Sequence, residues 1–325
     1  MADESTSSIP VIDLSRAPTA VAADLLTAYG EVGFAYLVGH GVDDRLVAET
    51  FDAAYRFHAL PVEAKLSVEL DDRHRGYIAI NTSTDRNTEL ATVTKPNQSA
   101  SFMMMREAGP DDPAVAAGHY LAGPNQWPEL SGFRATLERY HEALSRLGAR
   151  VMALFFDALG AEDASALVDR WFEPATTWLR LLHYPPQEPQ PDLYGSAPHV
   201  DYGAITILAQ DEVGGLQVKA SDGTWLDVPY RDNSFVLNTG SMMVRWSNGR
   251  LKATPHRVIN RSGRERYSIP FFYDPDVTTV VEPLSCCVDD SRPARFGPEL
   301  FGDFLRRELT AGYDRHASSD TSAGA

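Results

Sequence analysis

The sequence has few cysteines and no long apolar run, and both shortages limit where the protein works. Cys286 and Cys287 are its only cysteines. Adjacent cysteines rarely form a disulfide with each other, and two thiols without further partners suit a reducing compartment. No apolar run approaches the ~20 residues that a membrane span needs, and the polar, acidic start of the chain lacks a signal-peptide pattern. We therefore expect a cytoplasmic protein without a membrane partner.

Positively charged residues are also scarce. Lysine and arginine number 29 against 45 aspartates and glutamates, which gives a net charge of −16. Nucleic acids and anionic membrane surfaces both favour positively charged proteins, so we expect neither as a partner. The 325 residues are 43% hydrophobic, enough for one large domain with an elaborated N-terminal half. A small molecule is the expected partner, and the sequence leaves both a monomer and a homodimer open.

The segment 198–203 combines residue types that bind metal ions. Residues two apart on a strand point the same way, so a strand over 198–202 places His199 and Asp201 on one face. One imidazole and one carboxylate are two of the three ligands of the 2-His-1-carboxylate triad, which binds Fe(II) and leaves three positions open. His256, on a later predicted strand, offers the third ligand. For His256 taken alone, a structural histidine is the alternative.

A pattern that suits carboxylate binding follows His256. Arg266 and Ser268 are two apart and therefore share a strand face. A guanidinium beside a hydroxyl is suited to holding a carboxylate. The order of paired ligands, a β-rich stretch, a third ligand and this pair predicts a metal centre with a carboxylate clamp beside it.

With these motifs in order, the sequence resembles the non-haem Fe(II), 2-oxoglutarate-dependent oxygenases of the isopenicillin N synthase-like family. The resemblance extends roughly from residue 9 to residue 309. The motifs that carry it are an N-terminal signature at 9–14 and 33–41, a tyrosine-proline motif at 182–186 and an Arg-x-Ser strand at 266–272.

The resemblance implies an enzyme, an Fe(II)- and 2-oxoglutarate-dependent dioxygenase. It would use dioxygen to oxidise an unactivated C–H bond of a small organic substrate, by hydroxylation, desaturation or ring formation, and release succinate and carbon dioxide. Stimulation by ascorbate and a role in secondary metabolism are further implications. The implied Fe(II) ligands, which are also the catalytic residues, are His199, Asp201 and His256. The implied residues around the distal carboxylate of 2-oxoglutarate are Arg266, Ser268 and Tyr184.

Three consecutive methionines, at 103–105, are unusual and have two interpretations. Methionine fills irregular gaps in cores, so the run is suited to the interior. The resemblance favours the other interpretation, in which alternate residues form an adaptable apolar wall at the mouth of the substrate pocket. This wall suggests a small or medium, partly hydrophobic substrate. The expected substrate-binding residues are Tyr77, Phe102, Met104 and Phe272.

From residue 177 onward, short β-patterned segments alternate with glycine turns, which is typical of a jelly roll. One such strand places Arg180, Leu182 and Tyr184 on a single face, another covers 243–246, and a hairpin turn at 260–263 joins the strands of His256 and Arg266. Helical periodicity at 133–159 predicts a brace behind the sheet. The jelly roll matches the fold that the resemblance implies.

We therefore expect a mixed α/β (α+β) fold, in which a double-stranded β-helix (a cupin-like jelly roll) is braced by N-terminal and central helices. A helix at 298–309 could cap the pocket. The expected parts are a flexible N-terminus (1–8), a mainly helical N-terminal region (9–176), the Fe(II)/2-oxoglutarate dioxygenase domain with its C-terminal helix (177–311) and a disordered tail (312–325).

Two other functions remain open. Isopenicillin N synthase itself uses a similar Arg-x-Ser pair for its peptide substrate and takes no 2-oxoglutarate, so an oxidative cyclase that needs only Fe(II) and dioxygen is one alternative. A non-catalytic, cupin-like metal sensor is the other, and it has no need of Arg266. Two residues depart from the family: Ser241 stands where relatives often have aspartate, and Leu182 where many plant relatives have asparagine.

Overall fold

The computed structural model describes residues 9–84, 90, 93–188 and 190–312. The predicted flexible N-terminus and, apart from Gly312, the predicted tail lie outside this range. The mixed α/β fold is confirmed, with one sheet of eight strands, one of four and a set of helices. In the part of the chain that is described, every helix is too short or too polar to cross a membrane.

The N-terminal half contains most of the helices. Its elements are β1 (Val11–Asp13), α1 (Pro18–Glu31), β2 (Phe34–Val38), α2 (Asp44–His58), α3 (Val62–Leu66), β3 (Gly76–Ile78), β4 (Ala100–Met105), α4 (Pro113–Ala116), α5 (Phe133–Leu159) and α6 (Ala164–Trp171).

The second half is rich in strands. Its elements are β5 (Thr176–Tyr184), β6 (Ser196–His199), β7 (Ile205–Gln210), β8 (Leu216–Lys219), β9 (Trp225–Asp227), β10 (Phe235–Thr239), α7 (Ser241–Trp246), β11 (His256–Val258), β12 (Arg266–Asp274), β13 (Val280–Val281), a 3₁₀ turn (Ser285–Cys287), β14 (Glu299–Leu300) and α8 (Phe301–Gly312).

The large sheet has the order β1-β2-β10-β7-β12-β5-β4-β3 and the small sheet the order β6-β11-β8-β9. β1 pairs with β2 in parallel, and the other neighbouring strands of these sheets are antiparallel. One apolar cluster joins β2, β5 and β10 of the large sheet to β8 and β11 of the small one. The two sheets therefore enclose a core between them, as in a jelly roll.

A second and larger core lies between the outer face of the large sheet and the helices. The predicted brace is α5, with the bounds expected from its periodicity, and its apolar stripe is buried along its whole length. At Gly148 this helix lies so close to β12 that an added Cβ would be 2.6 Å from Cγ of Tyr273. Gly160, at φ 94°, ends the helix in the left-handed region that glycine adopts without strain.

Three local predictions were wrong. The strand predicted over 198–202 ends at His199. The segment 243–246 belongs to α7, because Met242, Met243 and Trp246 bury one side of a helical turn, and short apolar runs do not distinguish helix from strand. The turn at 260–263 joins no hairpin: β11 pairs with β6 and β8, whereas β12 pairs with β5 and β7, so the chain passes there from the small sheet to the large one.

Candidate active site

The three predicted metal ligands lie together at one end of the small sheet. His199 ends β6, His256 begins β11, and these two residues are directly opposite each other in the paired strands. Asp201 follows two residues after β6. Its Oδ1 atom lies 3.6 Å from Nε2 of each histidine. One ligand atom from each residue lies within 4.8 Å of the other two, a spacing at which all three can contact a single metal ion.

Both histidine rings are held by the same kind of hydrogen bond. Nδ1 of His199 lies 2.8 Å from the carbonyl oxygen of Ala197, and Nδ1 of His256 lies 3.2 Å from that of Thr254. A carbonyl oxygen only accepts, so each Nδ1 donates its proton and the lone pair of each Nε2 faces Asp201. This is the tautomer that a metal-binding histidine requires.

The Asp201 carboxylate is held on its other oxygen. Oδ2 accepts hydrogen bonds from Oγ1 of Thr206 at 2.5 Å and from Nδ2 of Asn238 at 2.6 Å, and Oδ1 is directed at the histidines. Burial raises the pKa of Asp201, but its electrostatic interaction with the His256 and His199 rings, together with these two hydrogen bonds, holds that pKa below its usual value. The site therefore contains one carboxylate anion with a fixed orientation.

The predicted carboxylate clamp is also assembled. Arg266 is fully buried and is opposite Tyr184 in the paired strands β12 and β5. Its Nη1 donates to Oγ of Ser268 at 3.2 Å, that hydroxyl lies 3.4 Å from the Tyr184 hydroxyl, and the guanidinium carbon lies 4.6 Å from the centre of the Tyr184 ring. Nε donates to the carbonyl of Gly214, while the buried Nη2 has no hydrogen-bond partner among the described residues.

The triad and the clamp line one cavity of about 190 Å³. Phe272 lines it, as predicted, and so do Leu305 and Leu309 of α8, which agrees with a C-terminal helix that caps the pocket. Arg180, Leu182 and Tyr184 share the cavity face of β5, as their spacing predicts. The apolar part of the wall includes Met103, Trp178, Leu208, Phe272, Leu305 and Leu309.

Three predicted substrate contacts lie elsewhere. Tyr77, Phe102 and Met104 are buried in the core between the large sheet and the helices, where the Phe102 ring packs against aromatic rings of α2 and α5. The cavity side of β4 carries Met103, which pairs with Arg180. The alternation along β4 was predictable, but its phase depends on the neighbouring strand, and a shift of one residue exchanges the two faces.

Several polar residues at the cavity were not predicted. Thr206 and Asn238 lie on strands with no local motif, so only the pairing of β7 with β10 brings them to Asp201. Asp274 could have been found, because it continues the even spacing of β12 from Arg266. Burial raises the pKa of Asp274 to about 8, and its Oδ1 accepts from the backbone N–H of Ala204 at 2.7 Å.

The two departures from the family motifs have different surroundings. Leu182 is opposite Ser268 in the paired strands and presents an apolar surface to the cavity. Ser241 is the first residue of α7, and its hydroxyl donates to the backbone carbonyl of Asp201 at 3.3 Å. It therefore supports the backbone next to the triad and does not contact the carboxylate itself.

Comparisons with known proteins agree with this geometry. The profile described as "2OG-Fe(II) oxygenase superfamily" matches residues 176–275, and that described as "non-haem dioxygenase in morphine synthesis N-terminal" matches residues 9–130. The "2-oxoglutarate-Fe(II) type oxidoreductase hxnY" of Emericella nidulans is 36% identical over 293 residues, which cover 87% of this chain and 82% of that protein. The chain belongs to the 2OG-Fe(II) oxygenase superfamily. An isopenicillin N synthase-like placement is consistent with this membership.

Other members of the superfamily support the same conclusion. The "2-oxoglutarate-dependent dioxygenase citB" of Monascus ruber is 35% identical over 297 residues, 85% of this chain and 87% of its own. The crystal structure of a full-length Neurospora crassa protein in complex with alpha-KG and thymine superposes with a TM-score of 0.82 at 28% identity, covering 95% of this chain and 98% of that one. This oxygenase is thus an enzyme that depends on Fe(II) and 2-oxoglutarate.

The residues of this chain fit both Fe(II) and 2-oxoglutarate. Two neutral imidazole nitrogens and one carboxylate oxygen are the donor set of non-haem Fe(II) oxygenases. The N–H groups of the Arg266 Nη2, buried and without a partner in the described structure, suit one end of a dicarboxylate.

Proposed function

We propose that this oxygenase oxidises a C–H bond of a small, partly apolar organic molecule that binds beside the metal triad. One observation carries the proposal: a single cavity joins the three ligands, the buried clamp and an apolar wall. Substrate, cosubstrate and metal can therefore meet in one place.

In this proposal, His199, Asp201 and His256 hold Fe(II). When bound, the metal supplies the redox chemistry by which dioxygen converts 2-oxoglutarate to succinate and carbon dioxide and oxidises the substrate. The protein's part is to fix the three donors. Each Nδ1 donates to a backbone carbonyl, and Oδ2 of Asp201 is held by two side chains, so the donor atoms need little rearrangement when the ion binds.

Arg266, Ser268 and Tyr184 bind the distal carboxylate of 2-oxoglutarate in the same proposal. The guanidinium is already held by Gly214 and Ser268, and its Nη2 atom is left for a ligand. A buried arginine without a counterion is unfavourable, and a carboxylate would relieve this through charge-assisted hydrogen bonds. The non-catalytic sensor leaves this arrangement without a role, whereas the oxidase alternative would use it to bind the organic substrate.

A small substrate is supported by the size of the cavity and by the Neurospora crassa structure, which contains thymine with alpha-KG. The apolar wall, which includes Met103, Trp178 and Phe272, favours a molecule with a hydrophobic part. The cytoplasmic location and the absence of nucleic-acid and membrane partners stay predictions.

The test is an anaerobic titration of the protein with Fe(II) and then 2-oxoglutarate, followed by visible absorption. We expect a charge-transfer band that needs both additions, and succinate release once dioxygen is admitted. Iron binding without any response to 2-oxoglutarate would favour the oxidase or the sensor. A library of small organic molecules then identifies substrates by the increase in succinate release.

A further inference from the structure

The cavity contains a second guanidinium, that of Arg180, which the proposed chemistry does not use. Arg180 lies on the cavity face of β5 and is partly buried. Its Nη2 donates to Oγ of Ser101 at 3.0 Å, and its buried Nε atom has no acceptor in the described part of the chain. A guanidinium has five N–H donors, so most of its capacity is unused.

Arg180 also lacks a counterion among the described residues. It makes no ion pair with any described carboxylate, whereas Arg106, which directly follows β4, pairs with Asp112 at 2.7 Å. The two carboxylates that line the cavity are otherwise engaged: Asp201 with Thr206 and Asn238, and Asp274 with the backbone of Ala204. In a protein with a net charge of −16, a cation left unpaired beside a cavity points to an anionic ligand.

The distal carboxylate of 2-oxoglutarate is not a suitable candidate for this anion. Tyr184 marks the clamp, and Arg180 lies four residues earlier on the same strand face, roughly 13 Å away at ~3.3 Å per residue. Arg180 is opposite Met103 in the paired strands. Trp178, two residues before Arg180 on β5, also lines the cavity. The second cation therefore lies within the apolar part of the wall, where the organic substrate is expected.

We propose that Arg180 binds a carboxylate of the organic substrate, and that this oxygenase acts on small organic acids. This inference rests on the proposed function. The planar fork of the guanidinium matches a carboxylate, and the neighbouring apolar side chains accommodate the rest of the molecule. Ser101 is a positioning residue in this arrangement, because it holds one Nη2 hydrogen and leaves the others for the ligand.

The experiment compares matched acids and amides on the enzyme loaded with Fe(II) and 2-oxoglutarate without dioxygen. The probes are phenylacetate with phenylacetamide, and 3-phenylpropionate with 3-phenylpropanamide, titrated through their effect on the charge-transfer band. We expect the wild type to bind the acids about ten- to a hundredfold more tightly than the amides, the value of one charge-assisted contact. Arg180→Gln should abolish this preference, and Arg180→Lys should keep part of it.

Arg134→Gln is the matched control, since it removes the same charge from an exposed position on α5 that pairs with Glu138, and it should keep the wild-type preference. Equal binding of acids and amides by the wild type, or no binding of the acids, overturns the proposal. So does an Arg180→Gln variant that weakens 2-oxoglutarate as much as the acids, because Arg180 would then serve the cosubstrate. Failure of the wild type to form the charge-transfer band refutes the proposed function instead.

Discussion

Replacing Arg266 by lysine separates the contribution of guanidinium geometry from that of charge. The native side chain directs Nε to the carbonyl of Gly214 and Nη1 to Ser268, and its buried Nη2 has no hydrogen-bond partner among the described residues. A lysine has one nitrogen at the end of a flexible chain and cannot occupy three positions at once. The variant keeps the positive charge but loses at least one oriented hydrogen bond to the cosubstrate.

The magnitude follows from that one bond. A hydrogen bond to a charged group contributes ~1.5–3 kcal/mol, and ~1.4 kcal/mol corresponds to a factor of ten. Arg266→Lys should therefore raise the KM for 2-oxoglutarate about ten- to a hundredfold, as measured by succinate formation. Iron affinity should change little, because Arg266 is not among the proposed ligands. A shorter 2-oxoacid without the distal carboxylate should lose less in the variant than 2-oxoglutarate does.

Arg134→Lys on the protein surface provides the control and should leave the KM at the wild-type value. An Arg266→Lys enzyme with an unchanged KM for 2-oxoglutarate and a weakened organic substrate would refute the reasoning. That result would assign the arginine to the substrate, as in the oxidase alternative.

The remaining predictions concern the cavity wall, the support of Asp201 and a buried acid. Met103→Ala should lower substrate-stimulated succinate formation more than substrate-independent turnover. Phe102→Ala should instead lower the free energy of unfolding by about 3–5 kcal/mol in denaturant melts, because its ring lies in the core. The reverse pattern would contradict the faces assigned to these two residues. Asn238→Ala should weaken Fe(II) binding about 10- to 100-fold in chelator competition by freeing the Asp201 carboxylate; unchanged affinity would exclude this support. Asp274 has a pKa raised to about 8 and keeps a proton that the unfolded chain releases near pH ~3.9, so the stability of the metal-free protein should fall as the pH rises between these values. Thermal melts of Asp274→Asn should show a weaker pH dependence, and equal slopes would refute the assignment.

The parts of the fold with strong local patterns were predictable from sequence. The helical periodicity at 133–159 gave the observed bounds of α5, because this helix buries a complete apolar stripe. The segment that became α7 was not predictable in this way. Its helix depends on burying Trp246 against aromatic rings from α5 and α6.

The candidate site was only partly accessible from sequence. His199 and Asp201 come together even though Asp201 lies beyond the end of β6. The alternation of a strand therefore predicted the correct pair, although the strand does not extend to Asp201. Even spacing along β12 gives Arg266, Ser268 and Phe272 on the cavity face. The phase of β4 and the approach of Asn238 to Asp201 depend on pairing between distant strands, which no local pattern encodes.

The most direct test of the account is metal binding together with turnover in the wild type and in Asp201→Ala, with Asp274→Asn as a carboxylate control in the same cavity. The wild type should bind one Fe(II) per chain and release succinate from 2-oxoglutarate, and Asp201→Ala should lose both properties while its circular dichroism spectrum stays native. His199→Ala combined with Asp201→Ala should be no worse than either change alone, because the ligands act as a unit. An Asp201→Ala protein that binds Fe(II) and forms succinate like the wild type would contradict the triad.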